Sequence, residues 1–215
     1  NYGTTMKEAK DDVARIKSIL KSLAIQDSYI HCDAALAGSY GAFVEPRVPF
    51  DFKDGADSVA ISGHKFIGSP IPSGVIITKK SNRDRIAKGV SYIGSFDTTI
   101  TGSRNGHSPL FLWYALKKMG VEGLRQRFQN SLEVAAYCEK RLNEIGIPAW
   151  RNPSAITIVF PKVQDTIISK WQLATQETIS HIICMPNVTK EQIDNLILDI
   201  QNCEEVVENE YEFSF

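Results

Sequence analysis

The sequence lacks the close pairs of cysteine or histidine that build zinc sites and dithiol redox motifs. Its four cysteines and four histidines are scattered along 215 residues. Isolated cysteines within apolar segments are typical of reduced, mostly buried thiols. The sequence therefore predicts reduced cysteines and no metal site. The residues concerned are Cys32, Cys138, Cys184 and Cys203, with His31, His64, His107 and His181.

An excess of charge and a long apolar run are also missing. The net charge is −1, from 24 basic and 25 acidic residues that are spread along the chain. A nucleic-acid partner is therefore not predicted. No stretch approaches the roughly 20 apolar residues of a membrane span, and no signal-peptide pattern opens the chain. These features predict a soluble, cytoplasmic protein, long enough for one large domain or one and a half.

What the sequence does contain is a lysine just beyond a predicted core strand. Residues 57–61 have the short, β-branched character of a strand that enters a core, and Gly63 breaks this run so that His64 and Lys65 lie on a turn. A second strand is predicted over Val75–Thr78. Burial between two core strands would favour the neutral, nucleophilic amine of Lys65 over its ammonium form. The alternative is an ordinary lysine that keeps its ammonium in water.

An acid ends an earlier predicted strand. Residues 28–33 form this strand, and Asp33 is followed by the small residues Ala34, Ala35 and Ala37. Open α/β sheets bind ligands at the carboxyl ends of their strands. Small side chains there would let a flat ring lie against the backbone. The alternative for Asp33 is a turn or helix-capping acid.

These two stretches together form a recognisable pair of motifs. The pair is Asp-x-Ala at residues 33–35 followed by Ser-x-His-Lys at residues 62–65. It resembles the pyridoxal-phosphate enzymes of fold type I and, within them, the group II amino-acid decarboxylases. The amino-acid sequence over residues 62–72 and 101–107 is similar to that of bacterial histidine decarboxylases and plant serine decarboxylases. The resemblance extends from Gly3 to about residue 200.

The resemblance implies a role for each motif residue. Lys65 would hold the aldehyde of pyridoxal 5′-phosphate as a Schiff base. Asp33 would pair with the pyridine nitrogen and keep it protonated, which makes the ring an electron sink. Ala35 would pack on the ring face, and Ser62 and His64 would lie toward the phosphate.

The resemblance also gives weaker candidates. Thr5 matches a family threonine near the cofactor ring, although it could instead cap a helix predicted over residues 7–23. Residues 89–106 are predicted to be a long loop that lies near the dimer interface in this family. Arg104 in this loop could hold a substrate carboxylate or fix the loop by hydrogen bonds to backbone carbonyls. The further candidates there are Tyr92, Ser95, Thr101 and Ser103, and Phe96 replaces the polar or basic residue of relatives.

The predicted fold is α/β. Residues 1–108 would form the second half of a fold type I large domain, a mainly parallel sheet with helices on both faces. Residues 109–146 are predicted to be long connecting helices, interrupted at Gly120 and ended by Gly146. Residues 147–215 would form a small α+β domain, in which residues 189–192 are a capping box.

The function implied is decarboxylation of an L-amino acid, most simply L-histidine to histamine and carbon dioxide. L-serine or another small amino acid is the alternative substrate. The expected assembly is a homodimer or a higher homo-oligomer. Residues 1–5 resemble the end of a sheet strand in the decarboxylases, with about half of their large domain missing before it. A hypothesis of another class is therefore an inactive fragment that acts only as a dimerising or binding module. The acidic and aromatic tail over residues 204–215 suggests no function.

Overall fold

The computed structural model describes residues 1–100 and 102–212, with residues 204–212 described by their backbone alone. The chain divides into two compact units. The first contains residues 1–3 and 10–122, and the second contains residues 4–9 and the chain from residue 123 onward. The domain boundaries drawn from the sequence stay predictions. Within the described ranges, no helix is both long enough and apolar enough to span a bilayer.

The first unit is built on a sheet of three strands in the order β1-β2-β3. They are β1 (His31–Asp33), β2 (Ser58–Ser62) and β3 (Gly74–Thr78). β1 and β2 are parallel, with Asp33 opposite Ala60, so their carboxyl ends lie at the same edge. β3 is antiparallel to β2, a direction that the sequence pattern did not indicate.

The helix predicted over residues 7–23 is shorter in the structure. α1 spans Val13–Ser22, and the side chain of Asp12 caps it by accepting the Arg15 N–H at 2.8 Å. Glu8 has a φ of 50°, which a right-handed helix does not accommodate. The suggestion that Thr5 caps this helix is therefore wrong, because the helix begins well after it.

The long loop predicted over residues 89–106 contains regular structure. After α2 (Lys80–Ile86), strands β4 (Lys88–Val90) and β5 (Ser95–Asp97) form an antiparallel hairpin. Gly94 turns the hairpin with a φ of 65°, a conformation that glycine adopts without steric cost. Short 3₁₀ helices cover Ala37–Ser39, Gly41–Phe43 and Ser91–Ile93.

A long helix, α3, spans His107–Glu144 and is interrupted at Gly120, whose φ of 62° and ψ of −171° are not helical. The predicted interruption is confirmed. At the end of the helix, the N–H of Gly146 donates to Asn143 O at 3.1 Å, and the N–H of Ile147 donates to Leu142 O at 3.0 Å. This is the Schellman pattern, so the predicted C-terminal glycine is also confirmed.

The second unit contains a separate antiparallel sheet in the order β6-β8-β7. Its core includes Ile158 and Phe160 of the sheet with Leu196 and Ile197 of the last helix, all at most 2% exposed. The elements after α3 are β6 (Thr157–Pro161), α4 (Asp165–Trp171), β7 (Ala174–Gln176), β8 (Ile179–Ile183) and α5 (Lys190–Glu212).

The capping box predicted before α5 is present. Thr189 Oγ1 accepts the Gln192 N–H at 3.2 Å, and Gln192 Oε1 accepts the Thr189 N–H at 2.9 Å. Each bond satisfies one backbone donor that a helix start leaves unpaired. β7 was not predicted, because its residues are all exposed and have no apolar alternation.

All four thiols are free, as predicted. Cys32, Cys138 and Cys184 are buried, and Cys203 is half-buried. A hydrogen bond with Cys184 and burial both raise the pKa of the Cys138 thiol, so this thiol stays protonated at neutral pH.

An ion-paired loop follows the 3₁₀ helices of the first unit. Arg47 binds Asp54 through two hydrogen bonds of 2.9 and 2.6 Å, and it also donates to Asp51 at 3.0 Å. The Asp54 carboxylate accepts the N–H groups of Phe50 and Asp51 at 2.8 and 3.1 Å. The Arg47 guanidinium and these N–H donors lower the pKa of Asp54 from 3.8 to about 2.

We expect Asp54 to make stability fall in acid. Because the folded-state pKa lies below the unfolded value of about 3.9, its contribution is complete above pH 4 and is lost as the pH falls toward 2. The loss should be about 2 kcal/mol. Urea unfolding at pH 5 and at pH 2.5 measures it, and Asp54→Asn should reduce the difference between the two pH values by about that amount. An unchanged pH dependence in the variant would contradict this assignment.

Candidate active site

Three hydrogen bonds donated by backbone N–H groups order the two sequence motifs at the carboxyl edge of the first sheet, and one of them joins the motifs to each other. The Ala35 N–H donates to Asp33 Oδ1 at 3.1 Å. The Ser62 N–H donates to Ala35 O at 3.1 Å, and the Lys65 N–H donates to Ser62 O at 3.3 Å. The structure therefore brings Asp33, Ala35, Ser62 and Lys65 into one local cluster.

The turn that carries Lys65 depends on a glycine. The Gly63 N–H donates to Ser73 O at 2.9 Å, and Gly63 O accepts the Ser69 N–H at 2.9 Å. A Cβ atom at Gly63 would lie 2.5 Å from Leu112 Cδ2 and 2.6 Å from Ser73 Oγ. Any larger residue would therefore force the side chains of Leu112 and Ser73 to shift next to the turn on which Lys65 lies.

Aromatic packing in the core also holds the turn. Phe66 is completely buried, and its ring meets the edge of Tyr40 at a centroid distance of 4.8 Å. Ile67 is 8% exposed. Because these two side chains enter the core, the preceding residues His64 and Lys65 lie on the opposite, exposed side.

The Lys65 side chain is exposed, so the predicted burial between two core strands is wrong. The reason is that Lys65 lies three residues beyond the end of β2 at Ser62, on a turn outside the sheet. Its Nζ forms no hydrogen bond or ion pair with the residues that the structure describes. A primary amine is thus available at this edge.

Asp33 presents a carboxylate at the same edge. Its backbone oxygen accepts the Tyr2 N–H at 2.7 Å, and the next residue, Ala34, donates to Ala60 O at 2.9 Å. These bonds fix the backbone on both sides of the carboxylate. The side chain is exposed and has no cationic partner in the described part of the chain. The bond from the Ala35 N–H makes Asp33 a turn acid, as the alternative interpretation expected. Its role as the acid of a ligand site stays a prediction.

The small residues after Asp33 divide between two environments. Ala34 and Ala37 are completely buried, whereas Ala35 is half-buried. A Cβ atom at Gly38 would lie 2.7 Å from Ala34 Cβ and 2.9 Å from Ile61 Cγ1. The expectation that Ala34 and Ala37 leave room for a ring is therefore wrong, because they fill the core beneath this edge.

Ser62 and His64 flank Lys65 differently. Ser62 is half-buried, and its hydroxyl has no partner among the described residues. His64 is exposed, and its Nδ1 lies 3.1 Å from the N atom of Ser73 and 3.2 Å from its O atom. The backbone of Ser73 thus fixes the imidazole ring beside the lysine turn.

The weaker candidates do not join this cluster through the contacts that the structure describes. Thr5 is exposed and belongs to the second unit. Ser95 is exposed on β5. Arg104 donates to Thr99 Oγ1 within its own loop, so it contacts the loop through a side-chain hydroxyl and not through the backbone carbonyls that were predicted. Thr101 lies outside the described residues.

The sequence analysis did not predict the role of Ser73 in the lysine turn or the burial of Glu8 in the second unit. Ser73 closes the lysine turn and holds His64, and only its position between Pro72 and Gly74 marks it as a turn residue. Glu8 is completely buried. No sequence pattern indicates this, since its partners Ile156 and Thr157 are 148 and 149 residues away.

Comparison with known proteins gives a consistent family and fold. The model of the pyridoxal-dependent decarboxylase conserved domain matches residues 1–149. Histidine decarboxylase from Mesorhizobium japonicum is 49% identical over 202 residues, which are 94% of this chain and 54% of the relative. Serine decarboxylase 3 from Oryza sativa subsp. japonica is 46% identical over 202 residues, which are 93% of this chain and 45% of the relative. The chain spans about half the length of the curated relatives it matches.

Solved structures confirm the predicted fold class. L-methionine decarboxylase from Streptomyces sp. 590 superposes with a TM-score of 0.82 at 28% identity, over 93% of this chain and 51% of that one. Glutamate decarboxylase from Lactobacillus brevis has a TM-score of 0.81 at 22% identity, over 95% of this chain and 53% of that one. The architecture is part of the fold type I decarboxylase fold. The family model matches residues 1–149, which include both motifs of the cluster. This match shows that the chain belongs to the pyridoxal-dependent decarboxylase family.

Proposed function

We propose that this chain carries the cofactor-holding residues of a pyridoxal-phosphate-dependent L-amino-acid decarboxylase. The observation that supports this most directly is the run of hydrogen bonds from Asp33 through Ala35 and Ser62 to Lys65. Among the described residues, neither the Lys65 amine nor the Asp33 carboxylate at this sheet edge has an ion-pair partner. Family membership adds the reaction class.

The residues of the cluster fit pyridoxal phosphate. The exposed Lys65 amine would hold the cofactor aldehyde covalently, and the Asp33 carboxylate would hold a proton at the pyridine nitrogen. The half-buried Ala35 would pack against the flat ring. The Ser62 hydroxyl and the His64 imidazole would serve the phosphate as hydrogen-bond donors.

The chain's own part in the reaction follows from these charges. When bound, the cofactor supplies an electron sink for the electron pair that carbon dioxide leaves behind. The negative charge of Asp33 would hold a proton at the pyridine nitrogen, which would strengthen that sink. The Lys65 amine would be the group that holds the cofactor aldehyde when no substrate is bound. The overall change is loss of carbon dioxide and gain of one proton at the α-carbon.

We propose L-histidine as the substrate and histamine as the product. Support comes from the 49% and 45% identity with the histidine decarboxylases of Mesorhizobium japonicum and Morganella morganii. L-serine is the second candidate, because the rice serine decarboxylase is 46% identical. Thr5, Ser95 and Arg104 stay candidates for cofactor or substrate contacts from the family resemblance.

We further propose that the protein acts as a homodimer or a larger homo-oligomer. The hairpin region presents apolar side chains to solvent: Tyr92 is 95% exposed and Phe96 is 76% exposed. Such side chains are typical of protein interfaces. A dimerising or binding module without cofactor is the alternative of another class.

Lys65 labelling tests the cofactor site. With pyridoxal phosphate and borohydride, we expect one stable adduct, located at Lys65 by mass spectrometry. Lys65→Ala should remove it, because Lys65 is the one lysine in the hydrogen-bonded cluster that the structure describes. The control Lys53→Ala changes another exposed lysine of the first unit and should leave the adduct unchanged. Adducts scattered over surface lysines would instead favour the binding-module alternative.

Replacement of the acid tests the proposed role of Asp33. In Asp33→Asn, we expect the Lys65 adduct to persist, whereas amine formation from L-histidine should fall on the order of 10²-fold because the pyridine proton is no longer held. The control Asp27→Asn removes an exposed acid of the same unit. Amine formation is measured by chromatography with L-histidine and L-serine in parallel. Equal rates in Asp33→Asn and the unchanged chain would exclude this role.

A further inference from the structure

Residues 4–9 belong to the second unit, although they lie near the start of the chain. The completely buried carboxylate of Glu8 holds this segment on β6. Its Oε2 atom accepts the N–H groups of Ile156 and Thr157, both at 2.9 Å, and the Thr157 hydroxyl at 2.8 Å. A buried carboxylate needs hydrogen bonds in place of its hydration, and these three donors supply them.

A histidine on β8 holds the same segment at a second point. His181 is hydrogen-bonded to the backbone of Met6. It lies opposite Val159 of β6. Thr157 is two residues before Val159, so its side chain is on the same face of the sheet. His181 therefore shares a face with the Thr157 hydroxyl, and the segment lies on that face.

The surroundings of His181 favour its neutral imidazole. The residue is 6% exposed, and its Nδ1 atom has no hydrogen-bond partner among the described residues. A protonated imidazole carries N–H groups on both nitrogens, so a proton on Nδ1 would be a buried donor without an acceptor. Burial lowers the pKa of His181, and the bond to Met6 offsets only part of this effect.

Few ionisable groups surround the imidazole. On the segment they are Glu8, which is buried, and Lys7, which is exposed. The three strands of this sheet carry no ionisable side chain other than His181, and the turn between β7 and β8 adds the exposed Glu177. No charge among the described residues contributes to the lowered pKa of His181. Its protonation is therefore governed by its burial.

We propose that His181 is an acid-sensitive latch, which holds residues 4–9 on the sheet of the second unit while it is neutral and releases them when it takes up a proton. Release of the segment opens the imidazole to water, where both nitrogens find partners. The released state therefore binds a proton more readily than the closed state, and acid shifts the equilibrium toward release. The latch does not depend on the proposed function, because all of its contacts lie within the second unit.

The direction of the pH effect follows from the lowered pKa. An imidazole in water has a pKa of about 6.5, and the pKa of His181 in the closed state is below its ordinary value. The closed state is thus fully favoured above about pH 6.5. Its advantage falls as the pH drops from there toward the closed-state pKa.

Hydrogen exchange of the full chain tests this latch. The reporters are the amides of Ile156 and Thr157, which lose their acceptor when Glu8 leaves. Their protection factors, corrected for the intrinsic exchange rate at each pH, should fall roughly three- to tenfold between about pH 7.5 and pH 5.5. The Cys184 amide donates to Ile156 O at 2.8 Å, and its protection should not change. An equal fall at Cys184 would mean unfolding of the unit and would overturn the latch.

Three variants assign the proton. His181→Gln removes the titrating group and keeps a side-chain donor for the backbone of Met6, so the protection of the two reporters should be the same at both pH values. His107→Gln is the control, because His107 is an exposed histidine of the first unit, and the fall should be retained. Glu8→Gln removes the other ionisable group buried on this face, and the fall should again be retained.

The outcomes decide for or against His181. A pH dependence that survives in His181→Gln, or one that disappears in Glu8→Gln, would assign the proton to another group and overturn the latch. Equal protection at the two pH values in the unchanged chain would overturn it as well. If His181→Gln does not fold, Glu8→Gln decides, because a fall that persists without the Glu8 carboxylate leaves His181 as the ionisable group buried on this face.

Discussion

The parallel pairing of β1 and β2 is the constraint on which the candidate site depends. Because the two strands run in the same direction, Asp33 and Ser62 end at one edge of the sheet. The bond from the Ser62 N–H to Ala35 O then continues this pairing beyond the strands. The two motifs are about 30 residues apart in the chain, but a few hydrogen bonds bring them together. The Lys65 amine and the Asp33 carboxylate are thereby held at the same edge, and neither forms an ion pair with a described residue.

The exposure of both charged groups is a consequence of how the edge is built. Phe66 enters the core and leaves Lys65 outside, and Gly63 allows the close approach of Leu112 and Ser73 beneath the turn. Ala34 and Ala37 fill the layer below Asp33. Packing thus supports the backbone, while the side chains of Lys65 and Asp33 stay exposed. If the proposed function holds, a ligand would be held there without prior rearrangement of the backbone.

In the second unit, polar contacts hold a backbone segment that is far away in the sequence. Its core is made by apolar side chains of β6, α3 and α5, whereas the early segment of residues 4–9 is held by polar contacts. Glu8 concentrates three of these contacts on one oxygen atom. A polar anchor of this kind defines position more closely than apolar packing, since each hydrogen bond requires a particular distance and direction.

Features that depend on neighbouring residues could be predicted from the sequence. Each is a local pattern of residue types: the glycine at the end of α3, the capping box before α5, the interruption at Gly120 and the paired motifs. Three features became known from the structure alone: the antiparallel direction of β3, the exposure of Lys65 and the burial of Glu8. Strand direction depends on which partner a strand meets, and burial depends on what covers a residue. Glu8 meets partners 148 and 149 residues away, and no local pattern contains that contact.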